Sequence, residues 1–142
     1  MKRSPALIPL SREHHEALVL ARRACEPDRP GADPAGVREQ VLRRWSEHIE
    51  AHFRLEEQAL LPALRQAGAP AEADEGARQH RSIRRLVDEL ESLGTAALPA
   101  WGDAMREHVQ WEERHLFPLA ERLLDLPALS PALAGAPAAS AP

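Results

Sequence analysis

The stretch HFRLEEQALLPAL, residues 52–64, recurs in altered form as HVQWEERHLFPLA, residues 108–120. Both copies begin with a histidine, have a pair of glutamates starting four residues later, and carry a proline ten residues after the histidine. Because residues four apart lie on the same face of an α-helix, each copy predicts a helix that presents a histidine and a glutamate together. Two such helices can enclose a metal pair between them.

The composition indicates one soluble globular domain. The chain has 142 residues, of which 44% are hydrophobic and 28% charged, and its formal net charge is −4. A chain of this size can bury one hydrophobic core, and without a basic block it is not expected to bind nucleic acid. Neither a membrane span nor a signal peptide is expected, since no apolar run is long enough. The single cysteine excludes an internal disulfide, and together these features predict a cytoplasmic protein.

Prolines and glycines divide the chain into four predicted helices and a tail. The helices are expected at residues 11–26, 34–67, 71–94 and 99–125. No segment has the alternating pattern of a strand, so the fold class is all-α. Short connections between long helices predict an up-down-up-down antiparallel four-helix bundle over residues 1–126. Residues 127–142, rich in alanine and proline, are expected to form a mobile tail.

The apolar stripes of these helices carry histidines and glutamates where a packed bundle would otherwise have leucine. The candidate metal ligands are His14, His52, Glu56, His80, His108 and Glu112. A buried carboxylate is unfavourable unless it is paired or coordinates a metal. Imidazole and carboxylate suit iron, and also zinc or manganese. Six ligands exceed what one tetrahedral metal needs, and they predict two metal ions bridged by two carboxylates.

Two further histidines are candidate ligands. His15 adjoins His14, but helical steps from His14 follow the cleaner apolar stripe, which favours His14. His48 lies one turn before His52 and is either a seventh ligand or, in the favoured interpretation, a hydrogen-bonding or packed core histidine beside the site. The second glutamate of each repeat is expected on a solvated face or in a salt bridge between helices.

These residues give the chain a resemblance to the hemerythrin-like, or HHE cation-binding, domain family. The similarity is carried by REHHEAL at 12–18, HFRLEE at 52–57 with LLP at 60–62, the isolated His80, and HVQWEE at 108–113 with LFP at 116–118. It implies a four-helix bundle that holds a non-haem di-iron centre. By position, it implies ligand roles for His14, His52, His80 and His108 and bridging roles for Glu56 and Glu112.

The sequence differs at two places from the oxygen carriers of the family that it resembles. Where their third helix has two ligand histidines four apart, His80 is followed by Arg84, which cannot bind a metal. Where they have an aspartate five residues after the last histidine, Glu112 lies four residues after His108. Six ligands leave an additional open or water-filled position, which favours sensing, redox chemistry or iron handling over oxygen transport.

Three functions are consistent with this pattern. The first is a di-iron protein that binds or senses dioxygen, nitric oxide or peroxide, or handles iron. The second is an oxidase or peroxidase that uses the same centre. Since the sequence indicates neither a substrate pocket nor a dedicated proton donor, binding is favoured over catalysis. The third is a bundle with structural zinc, or without metal, that serves as an interaction module.

Overall fold

The chain forms an all-helical structure, described for residues 2–135 in a computed structural model. The first long helix is α1, Ile8–Cys25. The second contains α2, α3 and α4, at Pro34–Arg44, Glu50–Leu55 and Leu61–Gln66. The third is α5, Pro70–Leu93. The fourth contains α6 and α7, at Leu98–Trp111 and Phe117–Leu123, and a short helix α8, Leu126–Leu133, follows it.

Wide π-helical turns connect the segments of the second and fourth long helices without a break in helical backbone. They span Trp45–Ile49, Glu56–Leu60 and Glu112–Leu116. A short 3₁₀ turn, Gly94–Ala97, joins the third long helix to the fourth. Within residues 2–135, no helix combines the length and the apolar character needed to cross a bilayer.

The long helices pack as a bundle whose core has two apolar parts with a polar layer between them. One apolar part includes Ala21, Val41, Val87 and Trp101, and the other includes Leu10, Leu64, Ala73 and Ala120. Each long helix contributes one half of its length to each part. The buried histidines and glutamates lie in the sequence between these halves, and the fold therefore holds them near the middle of the bundle.

The start of α1 differs from its prediction, whereas the start of α2 agrees. α1 begins at Ile8 rather than at an N-cap on Ser11, because Pro9 fits the first turn, where a main-chain N–H has no helical partner. At α2, Asp33 accepts a hydrogen bond from the Gly36 main-chain N–H at 3.1 Å, as the Asp-Pro sequence predicts.

The π turns displace the buried stripe of the two repeated helices by one residue. The sequence predicts that Ala63 and Leu119 face inward, but the buried residues are Leu64 and Ala120. Each preceding turn holds one residue more than an α-helical turn, so every position after it is displaced. The prediction of an uninterrupted helical period therefore holds as far as Leu60 and Leu116, which are buried, and is wrong beyond them.

The first part of the predicted mobile tail is helical. Residues Leu126–Leu133 form α8, and Asp125 caps this helix by accepting a hydrogen bond from the Ala128 main-chain N–H at 3.4 Å. The side chains of Leu126 and Leu133 are buried in the second apolar part of the core. These apolar positions, two turns apart, give α8 a face to bury despite its prolines. The remaining predicted tail, residues 136–142, lies outside the described residues.

Candidate metal centre

Six titratable side chains are buried together in the polar layer, each at most 4% exposed. They are His14, His52, Glu56, His80, His108 and Glu112. Each of the four long helices provides one histidine, and the second and fourth each add a glutamate. The structure thus brings together all six residues that the sequence singles out, and their role as ligands stays a prediction.

The two glutamates divide this cluster into two overlapping groups. One group is His14, His52, Glu56 and Glu112, and the other is Glu56, His80, His108 and Glu112. Within each group, one candidate ligand atom per residue lies within 4.8 Å of all the others. Glu56 belongs to both groups because its Oε2 lies 3.0 Å from His52 Nε2 and its Oε1 lies 2.9 Å from His80 Nε2. This is the placement that a bridging carboxylate requires.

Glu112 spans the two groups in the same way. Its Oε1 lies 2.8 Å from His14 Nε2, and its Oε2 lies 3.4 Å from His108 Nε2. Neither contact has hydrogen-bonding geometry, so both carboxylate oxygens and both imidazole nitrogens are buried without a partner. An unpaired buried carboxylate is strongly unfavourable. A cation between these atoms would remove the penalty, and nitrogen with oxygen donors suits iron, manganese or zinc.

The other ring nitrogen, Nδ1, of each histidine is bonded to a side chain from a neighbouring helix. The partners are Glu113 for His14 at 2.6 Å, Glu13 for His52 at 3.0 Å, Glu57 for His80 at 2.7 Å and Gln79 for His108 at 2.7 Å. An Nδ1–H that donates to such a partner leaves the Nε2 lone pair directed at the cluster. The outer hydrogen bonds therefore orient all four rings with Nε2 facing the cluster, the nitrogen that each ring would offer to a metal once it is neutral.

These four partners follow a repeat that sequence reasoning did not use. Glu57 and Glu113 each follow a candidate bridging glutamate directly, and Glu13 and Gln79 each precede a candidate ligand histidine directly. Glu57 forms the predicted salt bridge between helices, with Arg84, and both glutamates also contact a histidine, which the sequence reasoning did not predict. The doubled glutamate in both repeats was the signal that could have identified them.

An arginine holds each of these two outer glutamates. Arg84 donates to both carboxylate oxygens of Glu57, at 2.6 and 3.0 Å. Arg3 donates to a carboxylate oxygen of Glu113 at 3.2 Å and to its main-chain carbonyl at 3.0 Å. That carbonyl has lost its helical donors, because the Phe117 N–H bonds instead to the Glu112 carbonyl and Pro118 has no N–H. Arg84 thus supports the centre from outside instead of binding metal.

The buried charges shift the pKa values of the histidines in opposite directions. Burial alone would lower the pKa of His14, but the carboxylates of Glu112 and Glu113 outweigh it and raise this pKa to about 9. The pKa of His52 is likewise raised well above its ordinary value against burial, chiefly by Glu56. Burial dominates at His108 and lowers its pKa to about 3. Without metal, protons on some histidines compensate the carboxylates.

His15 and His48 lie outside the cluster. The His15 side chain is exposed, whereas its neighbour His14 faces the bundle interior, which is the orientation that the apolar stripe favours. The His48 side chain is exposed and belongs to neither histidine group, although it lines the cavity beside them, so it is not a packed core histidine and its role as a seventh ligand stays a prediction. The π turn Trp45–Ile49 contains His48 and moves it off the inward stripe.

A cavity of about 20 Å³ adjoins the cluster on the side of the first and second long helices. The rings of His14, His52 and His108 form part of its wall, and the rest of the wall combines apolar side chains with polar ones, namely Glu13, Glu16, Arg44 and His48. Its volume suffices for about one small molecule. The ring of Phe53, on the second long helix, stacks on His80 of the third, with 3.9 Å between ring centroids and 9° between ring planes. Phe53 therefore covers that histidine.

The comparisons with known proteins agree with this geometry. Residues 9–120 match the family model described as the hemerythrin HHE cation-binding domain. No curated protein and no solved structure gives a significant match to the chain. The matched residues include the whole candidate metal centre and most of the bundle. The chain therefore belongs to the hemerythrin HHE cation-binding domain family.

Proposed function

We propose that the protein binds two non-haem iron ions, bridged by Glu56 and Glu112, and uses them to bind or sense a small ligand. Dioxygen, nitric oxide and peroxide are the candidate ligands. The observation that carries this proposal is Glu112, whose two buried oxygens lack hydrogen-bond partners and face one histidine group each. Membership in a cation-binding family supports it independently.

Each proposed ion would be held by two imidazoles and by one oxygen from each bridging carboxylate. Iron bound in this way supplies reversible ligand binding and one-electron chemistry, whereas zinc, which suits the same donors, has no redox chemistry. Two histidines and two carboxylate oxygens per ion leave room for a further ligand. The cavity beside His14, His52 and His108 is the space for that ligand.

The surrounding residues orient the ligands and keep water out. The Nδ1 hydrogen bonds hold each imidazole with Nε2 facing the cluster, while Arg84 and Arg3 fix the glutamates that accept two of these bonds. A cavity of about 20 Å³ cannot hold an organic substrate. This favours binding or sensing of a small ligand over an oxidase or peroxidase with a larger substrate.

We also propose an up-down-up-down order for the bundle and a cytoplasmic location. The order is supported by the first apolar part of the core, which takes the later halves of the first and third helices and the earlier halves of the second and fourth. The location is supported by the single cysteine. The bundle domain would include α8, whose two terminal leucines are buried with it.

The adjacent residues His14 and His15 provide a sharp test of the metal centre. We expect the purified protein to contain about two irons per chain after anaerobic loading with ferrous iron. The variant His14→Ala removes a buried donor and should lose the iron held with His52. The variant His15→Ala changes an exposed side chain and should retain the full iron content. Elemental analysis and the optical spectrum after oxidation measure the iron content of each variant.

A folded wild-type protein that takes up no metal would exclude this function and favour the interaction module. Zinc content alone, with unchanged spectra and a melting temperature lowered by chelator, would indicate a structural zinc site. Equal iron loss in both variants would contradict the assignment of His14.

A further inference from the structure

The small cavity beside the metal centre meets a larger surface groove. This groove, of about 390 Å³, lies between the first and second long helices. The inner cavity and the groove share three wall residues, Glu16, Leu20 and Arg44. A ligand that moves from the groove to the cluster would therefore pass these three side chains.

An ion pair spans this junction. Arg44 Nη2 lies 2.6 Å from Glu16 Oε1, with one partner on each of the two helices that border the groove. The side chain of Arg44 is 33% exposed and that of Glu16 55% exposed. Exposed ion pairs of this kind are weak, so the pair can open without disturbing the helices beneath it.

The second helix has an irregularity at this junction that the fourth helix lacks. Arg44 directly precedes the π turn Trp45–Ile49, which also supplies His48 and Ile49 to the cavity wall. At the matching place in the fourth helix, α6 is regular over Leu98–Trp111. π turns inside helices often occur at functional sites. The asymmetry favours access to the centre from the side of the second helix.

We propose that the Arg44–Glu16 ion pair gates the passage of an uncharged ligand of two heavy atoms to the metal centre. This inference rests on the proposed function and specifies the ligand class and the route. The wall of the inner cavity includes the apolar side chains of Ala17, Ile49 and Met105. Glu13 and His48 are its other polar members, and the Glu13 carboxylate would repel an anion. An anion would lose its hydration there without compensation, whereas dioxygen or nitric oxide would not.

A gate that touches the ligand only in transit has a distinct kinetic signature. Opening it lowers the same barrier for association and for dissociation, so both rate constants change by one factor and Kd stays constant. A residue that contacts the bound ligand would instead change Kd. The two rate constants, measured separately, therefore distinguish a gate from a binding residue.

The test uses the full chain loaded with ferrous iron and nitric oxide as the probe. Association is measured by stopped-flow mixing and dissociation by trapping of the released ligand. In Arg44→Ala we expect both rate constants to rise about two- to fivefold, the range that loss of an exposed ion pair allows, with Kd unchanged. The control Arg65→Ala removes a comparable surface pair with Asp74 outside this groove and should leave both rates unchanged.

A second groove provides the competing route. It has a volume of about 240 Å³, reaches His108, and includes Arg78 in its wall. Faster binding in Arg78→Ala, with unchanged rates in Arg44→Ala, would overturn the proposed gate, and so would a change in Kd with constant association. Iron content is measured first in every variant. Wild-type protein without iron overturns the proposed function together with the gate, whereas iron-loaded variants with unchanged rates overturn the gate alone.

Discussion

At the scale of single residues, the contrast between adjacent glutamates separates two tasks. Glu56 is fully buried and faces two imidazole Nε2 atoms, whereas Glu57, one residue later, is half-buried and binds the Nδ1 atom of His80. A rotation of about a quarter turn along the helix thus changes a candidate ligand into a residue that orients one. Arg84 then holds Glu57 from the solvent side.

The variant Glu57→Gln tests this outer role. It weakens the acceptor for His80 Nδ1–H and leaves Arg84 without its carboxylate, while it keeps the side-chain size. We expect iron affinity at the His80 group to fall about 10- to 100-fold, as the loss of such an outer hydrogen bond typically costs. Competition with a chelator measures this affinity.

The exposed Glu72, on the same helix as His80, supplies the control for this variant. Its substitution Glu72→Gln also removes one negative charge, but from an exposed side chain away from the candidate metal centre, and it should leave iron affinity unchanged. Equal affinities in all three proteins would mean that the Glu57 carboxylate does not support the centre.

At the scale of elements, the boundaries of the long helices were largely predictable, but their internal irregularities were not. Prolines and glycines mark the ends of a helix by removing a donor or permitting a positive φ, as Gly94 does after α5 with a φ of 76°. A π turn has no comparable residue signal, since any residue can occupy it. The buried position therefore moves from Ala63 to Leu64 because of main-chain hydrogen bonding that the sequence pattern does not indicate.

The contact between α1 and α6 depends on Gly102. A Cβ atom at this position would lie 2.6 Å from Cys25 Sγ and 2.7 Å from the Ala21 carbonyl oxygen. The carbonyl belongs to the α1 backbone and cannot move alone, so Gly102→Ala should separate the helices and lower the free energy of unfolding by about 1–3 kcal/mol. Chemical denaturation of the metal-free protein measures this change.

Gly76 on α5 supplies the comparison for this substitution. Its added Cβ would lie 3.2 Å from the Leu61 side chain, which can shift, and 3.7 Å from the Trp111 ring, which is an ordinary van der Waals contact. Alanine also favours a helix over glycine by up to about 1 kcal/mol, so Gly76→Ala should be neutral or stabilising. Similar destabilisation in both variants would contradict a specific close approach at Gly102.

At the scale of the whole molecule, the polar layer lies where the sequence pattern places it, between two apolar halves of each long helix. Periodicity and the repeated phrase were sufficient to predict which six residues would meet, because each lies on an inward stripe. They could not predict Glu13 or Gln79, whose contacts with His52 and His108 cross between helices. Such contacts depend on how the helices are rotated against each other, and a single chain's periodicity leaves that rotation open.

Without metal, the free energy of unfolding of the bundle should decrease both at alkaline and at acidic pH. Because the pKa of His14 rises to about 9 on folding, its stabilising proton is fully bound below pH 6.5 and is lost as the pH rises through 9, a loss of about 3 kcal/mol. The pKa of His108 falls to about 3 on folding. The stability that depends on its neutral ring is therefore fully present above pH 6.5 and is lost as the pH falls through 3. We expect the metal-free protein to be most stable near pH 6.5.

Metal loading should reverse the alkaline half of this profile. A metal ion needs the neutral imidazole of His14, so it displaces the proton, and its affinity rises with pH until that proton is gone near pH 9. The melting temperature of the loaded protein should therefore exceed that of chelator-treated protein by a margin that grows from pH 6.5 to 9. Calorimetric melting at several pH values, with and without chelator, measures this margin. A margin that stays constant over this range would mean that His14 does not exchange a proton for metal, and it would remove His14 from the ligand set.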